Sequence, residues 1–294
     1  MIGYKLLLIL SEGLVFGLFA LGVYVAFQWL RFPDLTPDGS FVIGACFYVK
    51  AVGLGASPLF ALLSSIVGGV LAGFVTAALN KLIRIPTVVA GLLTSAALYS
   101  LSWLVLGKPN QFLDPNFTLI GDVGGFTGAL QLTCWLLAFS VSAIILLAVF
   151  GETFWGLKAR AIGENPLLAR DLKTHETTYT FLCLAVANGI VALSGALFAQ
   201  RSFSADINMG IGQTIIGLIG MILGLLISNN RRKVFVVLSA VVIGAILHKS
   251  VIFLTLEAGM PAESFRLVSA LLFVLLFFAI RASGIEFGKG LKWS

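Results

Sequence analysis

Residues 6–30 read LLLILSEGLVFGLFALGVYVAFQWL, an apolar run in which Glu12 is the one charged residue. A helix that crosses the hydrocarbon core of a bilayer needs about 20 predominantly apolar residues. In hydrocarbon the backbone must satisfy its own hydrogen bonds, which leaves helices and closed barrels. Because this run is continuous and does not alternate in polarity, it predicts a spanning helix and not a barrel strand.

The same pattern recurs along the chain. Of the 294 residues, 59% are hydrophobic and 11% are charged, whereas a soluble domain carries about 25% charged residues. The composition therefore excludes an ordinary soluble enzyme and predicts an all-α, polytopic membrane bundle, with one transmembrane domain over residues 1–294. About nine transmembrane segments are predicted, at 6–30, 39–55, 58–79, 86–107, 129–151, 177–199, 211–228, 234–257 and 264–282.

The second apolar segment is predicted to be broken or re-entrant. It follows the stretch RFPDLTPDGS at 31–40, where Pro33 and Pro37 exclude a continuous helix. Short, interrupted segments are tolerated at membrane depth where they face protein or a watery cavity. Asp38 and Ser40 are good capping residues, and they are expected to cap the second helix near a transport pathway.

The basic residues indicate an orientation. If the loop at 152–176 is cytoplasmic and the spans alternate, the inner regions contain thirteen of the 19 Lys and Arg residues. These are Arg31, Lys81, Arg84, Lys158, Arg160, Arg170, Lys173, Arg231, Arg232, Lys233, Arg281, Lys289 and Lys292. By the positive-inside rule the N-terminus is outside and the C-terminus cytoplasmic. Such scattered loop cations do not form a nucleic-acid surface, and no nucleic-acid partner is expected.

The most informative polar segment is AIGENPLLARDL at 161–172. Asn165 can cap a helix, and Pro166 suits its first position because a missing N–H there costs nothing. Leu168 and Leu172 then lie on one face, so the segment predicts a short amphipathic helix. Since a helix this short is unstable alone, it must pack against a partner groove, its own bundle or lipid headgroups.

This segment, as RAIGENPLLARDL, resembles the cytoplasmic loop of permease subunits of bacterial ABC importers in the branched-chain amino acid and ribose permease superfamily. Four further blocks resemble that family in the same order: FPDLTPDGSFVIGA, LLTSAALYSLSWLVLGKPN, NMGIGQTIIGLIGMILG and GMPAESFRLVSALLF. Together they cover nearly the whole chain, and the similarity is greatest to tryptophan- and tyrosine-type permeases. Lys173 departs from the family, which usually has Gly there.

The resemblance implies a type II-like importer permease in the bacterial plasma membrane. Its loop would form the coupling helix that seats in an ATPase subunit. The implied coupling residues are Ala161, Gly163, Glu164, Asn165, Pro166, Leu168, Ala169, Arg170 and Leu172. The implied partners are P-loop ATPase subunits, an extracytoplasmic substrate-binding protein and a second permease copy or homologue. The chain itself contains no G-x-x-x-x-G-K-[ST] motif, so ATP and Mg²⁺ are expected on the ATPase and no cofactor on this chain.

Polar residues inside apolar segments are candidates to line a pathway, because charge at membrane depth is costly. The candidates are Asp38, Ser40, Asn188, Gln213, His248 and Lys249. Each also has a structural alternative, such as a hydrogen bond between helices or a helix end near water. Neither a catalytic residue nor a metal ligand is identified. Gly13-x-x-x-Gly17, Gly69-x-x-x-Gly73 and Gly220-x-x-x-Gly224 predict close helix packing.

Two other functions compete with the importer. A self-contained secondary transporter would need a relay of buried carboxylates, for which Glu12 is the one candidate. An integral-membrane transferase would use Asp34 and Asp38, which resemble the paired aspartates of metal-dependent prenyl transferases; a second acidic motif on another inner loop is lacking.

Overall fold

The structure is a computed structural model that describes residues 2–119, 125–165, 175–228, 233–261 and 264–282. Within these ranges each of the nine predicted apolar segments coincides with a helix. An additional short helix, α6, lies in the predicted loop. The helices are α1 (Ile2–Tyr24), extended by a π-helical turn (Val25–Trp29), α2 (Pro37–Gly53), α3 (Pro58–Lys81), α4 (Thr87–Leu106), α5 (Gly125–Glu152), α6 (Phe154–Glu164), α7 (Glu176–Ser202), α8 (Gln213–Ile227), α9 (Val234–Glu257) and α10 (Phe265–Ala282).

Among the described residues, six helices are long and apolar enough to cross a bilayer: α1 with its π-helical turn, α3, α4, α5, α7 and α9. The helices α8 and α10 are apolar but shorter, and α2 has 17 residues. The helical membrane bundle predicted from the sequence is confirmed, whereas a count of nine complete spans is not. Two thirds of the apolar windows of α1 and α7 are buried (67% each), against 28% for α4, so α1 and α7 form the centre.

Local sequence explains where the helices begin and end. The helix α3 begins after Ser57, whose hydroxyl accepts a hydrogen bond from Phe60 N, and Pro58 occupies its first position. The helix α4 ends at Gly107, which has a positive φ of 72° and donates to Trp103 O at 2.8 Å. A glycine accepts this left-handed conformation without the steric cost of a Cβ atom.

The three small-residue motifs lie at helix crossings, as predicted. A Cβ atom added at Gly69 or Gly73 of α3 would lie 2.2 Å from the backbone oxygen of Asn188 or Leu184 on α7. At Gly13 and Gly17 of α1 the added Cβ would lie 2.8 Å from Ile246 and Val242 of α9. At Gly220 and Gly224 of α8 it would lie 3.1 Å from Ala245 and 2.4 Å from Val241 of the same helix. Glycine lets the helix backbones approach this closely, which gains van der Waals packing where lipid supplies no hydrophobic driving force.

The two ends of the bundle are distinct. At one end, β1 (Asn110–Phe112) pairs antiparallel with β2 (Ser204–Asp206), and Lys5 forms an ion pair with Glu257. At the other end, Lys81 pairs with Glu176 at 2.5 Å and α6 packs beside the ends of α1 and α5. We call these the hairpin end and the α6 end. Of the connections predicted to be cytoplasmic, residues 80–85 and the described start of the 152–176 loop lie at the α6 end, while their side of the membrane stays a prediction.

Candidate functional site

The predicted coupling loop is described as far as Asn165. It begins with α6, whose N-cap residue Thr153 accepts a hydrogen bond from Gly156 N at 3.4 Å. The predicted coupling residues Ala161, Gly163 and Glu164 form its last turn. Asn165, which was predicted to begin a helix, closes α6 by donating its N–H to Ala161 O at 2.9 Å. The remaining predicted coupling residues, Pro166, Leu168, Ala169, Arg170 and Leu172, lie outside the described residues, so the coupling helix stays a prediction.

The helix α6 is held tightly against the end of α1. A Cβ atom at Gly163 would lie 2.2 Å from Trp29 O, so this glycine seats α6 directly on the backbone of the π-helical turn. The Arg31 guanidinium donates to Glu164 O at 3.5 Å, beside the last turn of α6 and thus at the negative end of its dipole. The helix α6 therefore contacts residues 29–31 directly, as it does α5, where the Arg160 guanidinium donates to Gly151 O at 2.9 Å.

A buried carboxylate lies in the connection that follows these residues. Asp34 is fully buried, and its Oδ1 accepts hydrogen bonds from Thr36 N at 2.9 Å and from Thr36 Oγ1 at 2.5 Å. Its Oδ2 accepts from Asn188 Nδ2 at 2.9 Å. Because Asn188 is twelve residues into α7, roughly 18 Å from the α6 end, the connection turns back into the bundle. This agrees with the predicted broken second segment, although residues 31–38 were expected to form a cytoplasmic loop.

A chain of hydroxyl groups continues from this carboxylate. Thr36 Oγ1 lies 2.7 Å from Thr76 Oγ1 of α3, which donates to Thr94 Oγ1 of α4 at 2.9 Å. All three threonines are buried. Buried polar groups require partners, and here one network joins α3, α4 and α7 to the start of α2. We call Asp34, Thr36, Thr76, Thr94 and Asn188, with Ser40, the Asp34 network.

Asp38 acts as a cap, but for a different helix than predicted. Its Oδ1 accepts from Thr214 N and Thr214 Oγ1, both at 2.7 Å, and its Oδ2 accepts from Gly212 N at 3.0 Å. It therefore caps α8 from the first turn of α2 and joins the N-termini of two short helices. The prediction that Asp38 caps α2 is wrong. The start of α8 has Gly212 as its N-cap residue and therefore no side-chain cap from its own segment. Its first N–H groups need an acceptor, which Asp38 supplies.

Ser40 also departs from the predicted cap of α2. Its hydroxyl donates to Asn188 Oδ1 at 2.6 Å, so the structure brings two predicted pathway residues, Ser40 and Asn188, into direct contact. Both are fully buried.

The other three candidates lie apart from that contact. Gln213 lies at the start of α8, between the two residues that Asp38 binds, and donates to Met209 O at 2.8 Å. His248 is fully buried, with Nε2 3.2 Å from Ser269 Oγ of α10. Lys249, its neighbour, turns to Glu12 of α1, with Nζ 3.1 Å from Oε1. The predicted pathway residues therefore form separate groups and not one lining.

The sequence did not indicate the three threonines of the Asp34 network. Thr36, Thr76 and Thr94 carry no motif, because a threonine inside an apolar helix commonly bonds its own backbone; Thr76 and Thr94 do so as well, to Ala72 O and Ala90 O. Asp34 was considered as one half of an aspartate pair. In the structure Asp34 and Asp38 bind different partners, which does not support the transferase reading.

Comparisons with known proteins agree with this architecture. Residues 5–278 match the family model described as branched-chain amino acid transport system, permease component. A tyrosine transport system permease protein from Clostridioides difficile is 30% identical over 267 residues, covering 90% of this chain and 88% of that protein. An uncharacterised protein from Rickettsia prowazekii is 31% identical over 231 residues, covering 77% of this chain and 79% of that protein.

Two solved structures share the fold. PsaBC from Streptococcus pneumoniae, in complex with a Fab, has a TM-score of 0.51 at 17% identity and covers 93% of this chain and 89% of that one. An inward-facing metal-chelate type ABC transporter has a TM-score of 0.53 at 18% identity and covers 94% and 84%. With a family model that spans most of the chain, a multi-pass helical bundle and a relative of 30% identity, this chain belongs to the branched-chain amino acid transport system permease family and is the membrane permease component of an ABC transporter, not an enzyme.

Proposed function

We propose that this permease moves a small polar solute inward by alternating access, and that the solute is an amino acid with an aromatic or branched side chain. The family description and the relative named a tyrosine transport permease support this substrate class. The observation that carries the coupling is the seat of Gly163 on Trp29 O, because it gives a force on the 152–176 loop a rigid route into the transmembrane helices.

The route can be followed residue by residue. The last turn of α6 packs against the backbone of Trp29, and Arg31 donates a hydrogen bond to the carbonyl of Glu164. Trp29 belongs to a π-helical turn, a feature that often marks functional sites. Five residues later Asp34 holds the network between α3, α4 and α7, and Asp38 holds the start of α8. Closure of the ATPases would therefore shift the point where the two short helices meet.

The partners follow from the same proposal. Two permease copies, or one copy and a homologue, enclose the pathway. Two P-loop ATPase subunits, which carry ATP and Mg²⁺, each grip one 161–173 segment. A substrate-binding protein docks at the hairpin end, through the stretches at 108–128, 200–210 and 256–263. In this arrangement the α6 end and the C-terminus are cytoplasmic, and the N-terminus is outside the bacterial plasma membrane.

The residues Glu164, Asn165 and Pro166 provide the test. Their replacement by Gly-Ser-Gly should leave the chain inserted in the membrane but abolish copurification of the ATPase and ATP-driven uptake, because the replacement removes the predicted helix start. Asp114, Pro115 and Asn116 form a matched control of the same chemical type at the hairpin end, where they are exposed. The same replacement there should leave ATPase copurification intact.

A loss of ATPase association in both variants would indicate general damage, and retention in both would refute the coupling assignment. Uptake driven by an ion gradient, in vesicles that contain this chain alone, would support a secondary transporter instead. The buried carboxylate of Asp34 would then be the first candidate for its ion site.

A further inference from the structure

Three charged side chains meet inside the hairpin half of the bundle. Glu12 of α1 places Oε1 3.1 Å from Lys249 Nζ on α9 and Oε2 3.3 Å from the Arg201 guanidinium on α7. The side chains of Lys249 and Arg201 are 9% and 18% exposed, and that of Glu12 is 34% exposed. One carboxylate thus serves two cations, and these three groups, which we call the basic cluster, carry a net charge of +1.

The cluster has more donors than its own acceptors use. Arg201 also donates to Ser11 Oγ at 3.2 Å and to Leu8 O at 3.4 Å. Lys249 Nζ lies 3.5 Å from the centroid of the Phe16 ring, a cation–π contact that holds the ammonium group without taking a hydrogen bond from it. An ammonium has three donors and a guanidinium five, so the contacts of the two cations leave donors of each unused.

The depth of the cluster limits what that anion can be. The ion pair of Lys5 and Glu257 marks the hairpin end. Glu12 follows Lys5 by seven residues in α1, and Lys249 precedes Glu257 by eight residues in α9. At 1.5 Å per residue the cluster lies roughly 10–12 Å inside this end. Uncompensated charge at such depth is costly and marks a functional site. Lipid phosphates stay at the interface, whereas a solute inside the bundle can reach this depth.

We propose that Lys249 and Arg201 form a binding site for the carboxylate group of the transported solute, and that Glu12 holds the two cations in place and accepts the ammonium group of a zwitterionic solute. The inference rests on the proposed transport of an amino acid and names the part of the molecule that recognises it. An arginine binds a carboxylate with two parallel hydrogen bonds, and a lysine adds a point charge. When the solute binds, its carboxylate accepts hydrogen bonds from Lys249 and Arg201 that Glu12 accepts in the absence of solute.

The test uses chloride as the probe, in the assembled permease–ATPase complex in phosphatidylcholine nanodiscs. Line broadening of the chloride NMR signal reports weak anion binding, and the wild-type complex should show a component that L-tyrosine displaces and tyramine, which lacks the carboxylate, does not. Lys249→Met should remove this component and Lys249→Arg should retain it. Lys50→Met is the matched control, because Lys50 is exposed and has no part in the cluster.

Glu12→Gln gives the decisive contrast. If the cluster were only a structural ion network, loss of Glu12 and loss of Lys249 would both weaken any anion signal. If it is an anion site, Glu12→Gln removes the competing charge and should strengthen chloride binding roughly tenfold, opposite in sign to Lys249→Met. Equal signals in wild type and Lys249→Met would overturn the proposal. So would a component that tyramine displaces as well as L-tyrosine.

ATPase copurification and ATP-driven uptake are measured on the same preparations. If both are present while the chloride results fail, the carboxylate site is wrong and the proposed function stands. If both are absent, the proposed function fails independently of the chloride result.

Discussion

The hydrogen bond between Asp34 and Asn188 makes a quantitative prediction. Asn188 donates from Nδ2 to the buried carboxylate at 2.9 Å and accepts from Ser40 at 2.6 Å. Asn188→Ala removes one charge-assisted hydrogen bond, worth about 1.5–3 kcal/mol, and leaves the Ser40 hydroxyl unpaired, at a further cost of about 1 kcal/mol. The free energy of unfolding should therefore fall by roughly 3 kcal/mol.

The pairwise part is isolated by a double-mutant cycle of Asn188→Ala, Asp34→Ala and the combined variant. The single Asp34→Ala change also relieves the burial of a charge, so its own sign does not test the bond. The coupling free energy does, and it should be about 1.5–3 kcal/mol because the two groups touch. The assay is reversible unfolding in mixed micelles, titrated with a denaturing detergent and followed by tryptophan fluorescence.

Asn80 supplies the control. Its side chain donates to Ile85 O at 2.9 Å and does not contact Asp34, so Asn80→Ala combined with Asp34→Ala should be additive within about 0.5 kcal/mol. If the Asp34–Asn188 pair is equally additive, the carboxylate does not bind Asn188. The reasoning that places a polar junction inside the bundle would then be refuted.

Two further predictions concern the ends of short helices. Gly163→Ala should push α6 away from Trp29, which should lower the free energy of unfolding by about 1–3 kcal/mol through overpacking and reduce transport per ATP hydrolysed. Gly53→Ala is the control and should change neither quantity, because a Cβ there has its nearest neighbour at 3.7 Å. Equal effects of the two changes would contradict the contact between α6 and Trp29. Asp38→Ala should lower the free energy of unfolding by about 0.5–2 kcal/mol, because α8 loses its cap. Asp38→Asn should retain most of that stability, because Asn caps a helix as well as Asp does. Equal losses in the two variants would show that Asp38 does not stabilise the protein by capping α8.

The sequence predicted the helices well and their polar contacts poorly. Long apolar runs such as 6–30 form spanning helices in any context, because hydrocarbon leaves the backbone no other partner. The glycine motifs were equally readable, since their role is local to a helix surface. Asp38 was correctly assigned a capping role and assigned to the wrong helix, because a free helix N-terminus in another part of the chain is not visible from its own neighbours.

What the sequence by itself determined is therefore the class of molecule. It is a helical membrane permease, which follows from hydropathy, from proline and glycine positions and from the family motifs. What only the tertiary structure decided is which polar groups meet. Asp34 and Asn188 are 154 residues apart, and Glu12 and Lys249 are 237 apart. Each pair exists because helix packing brings the two partners together, and the depth at which two helices cross depends on the whole bundle and not on either segment.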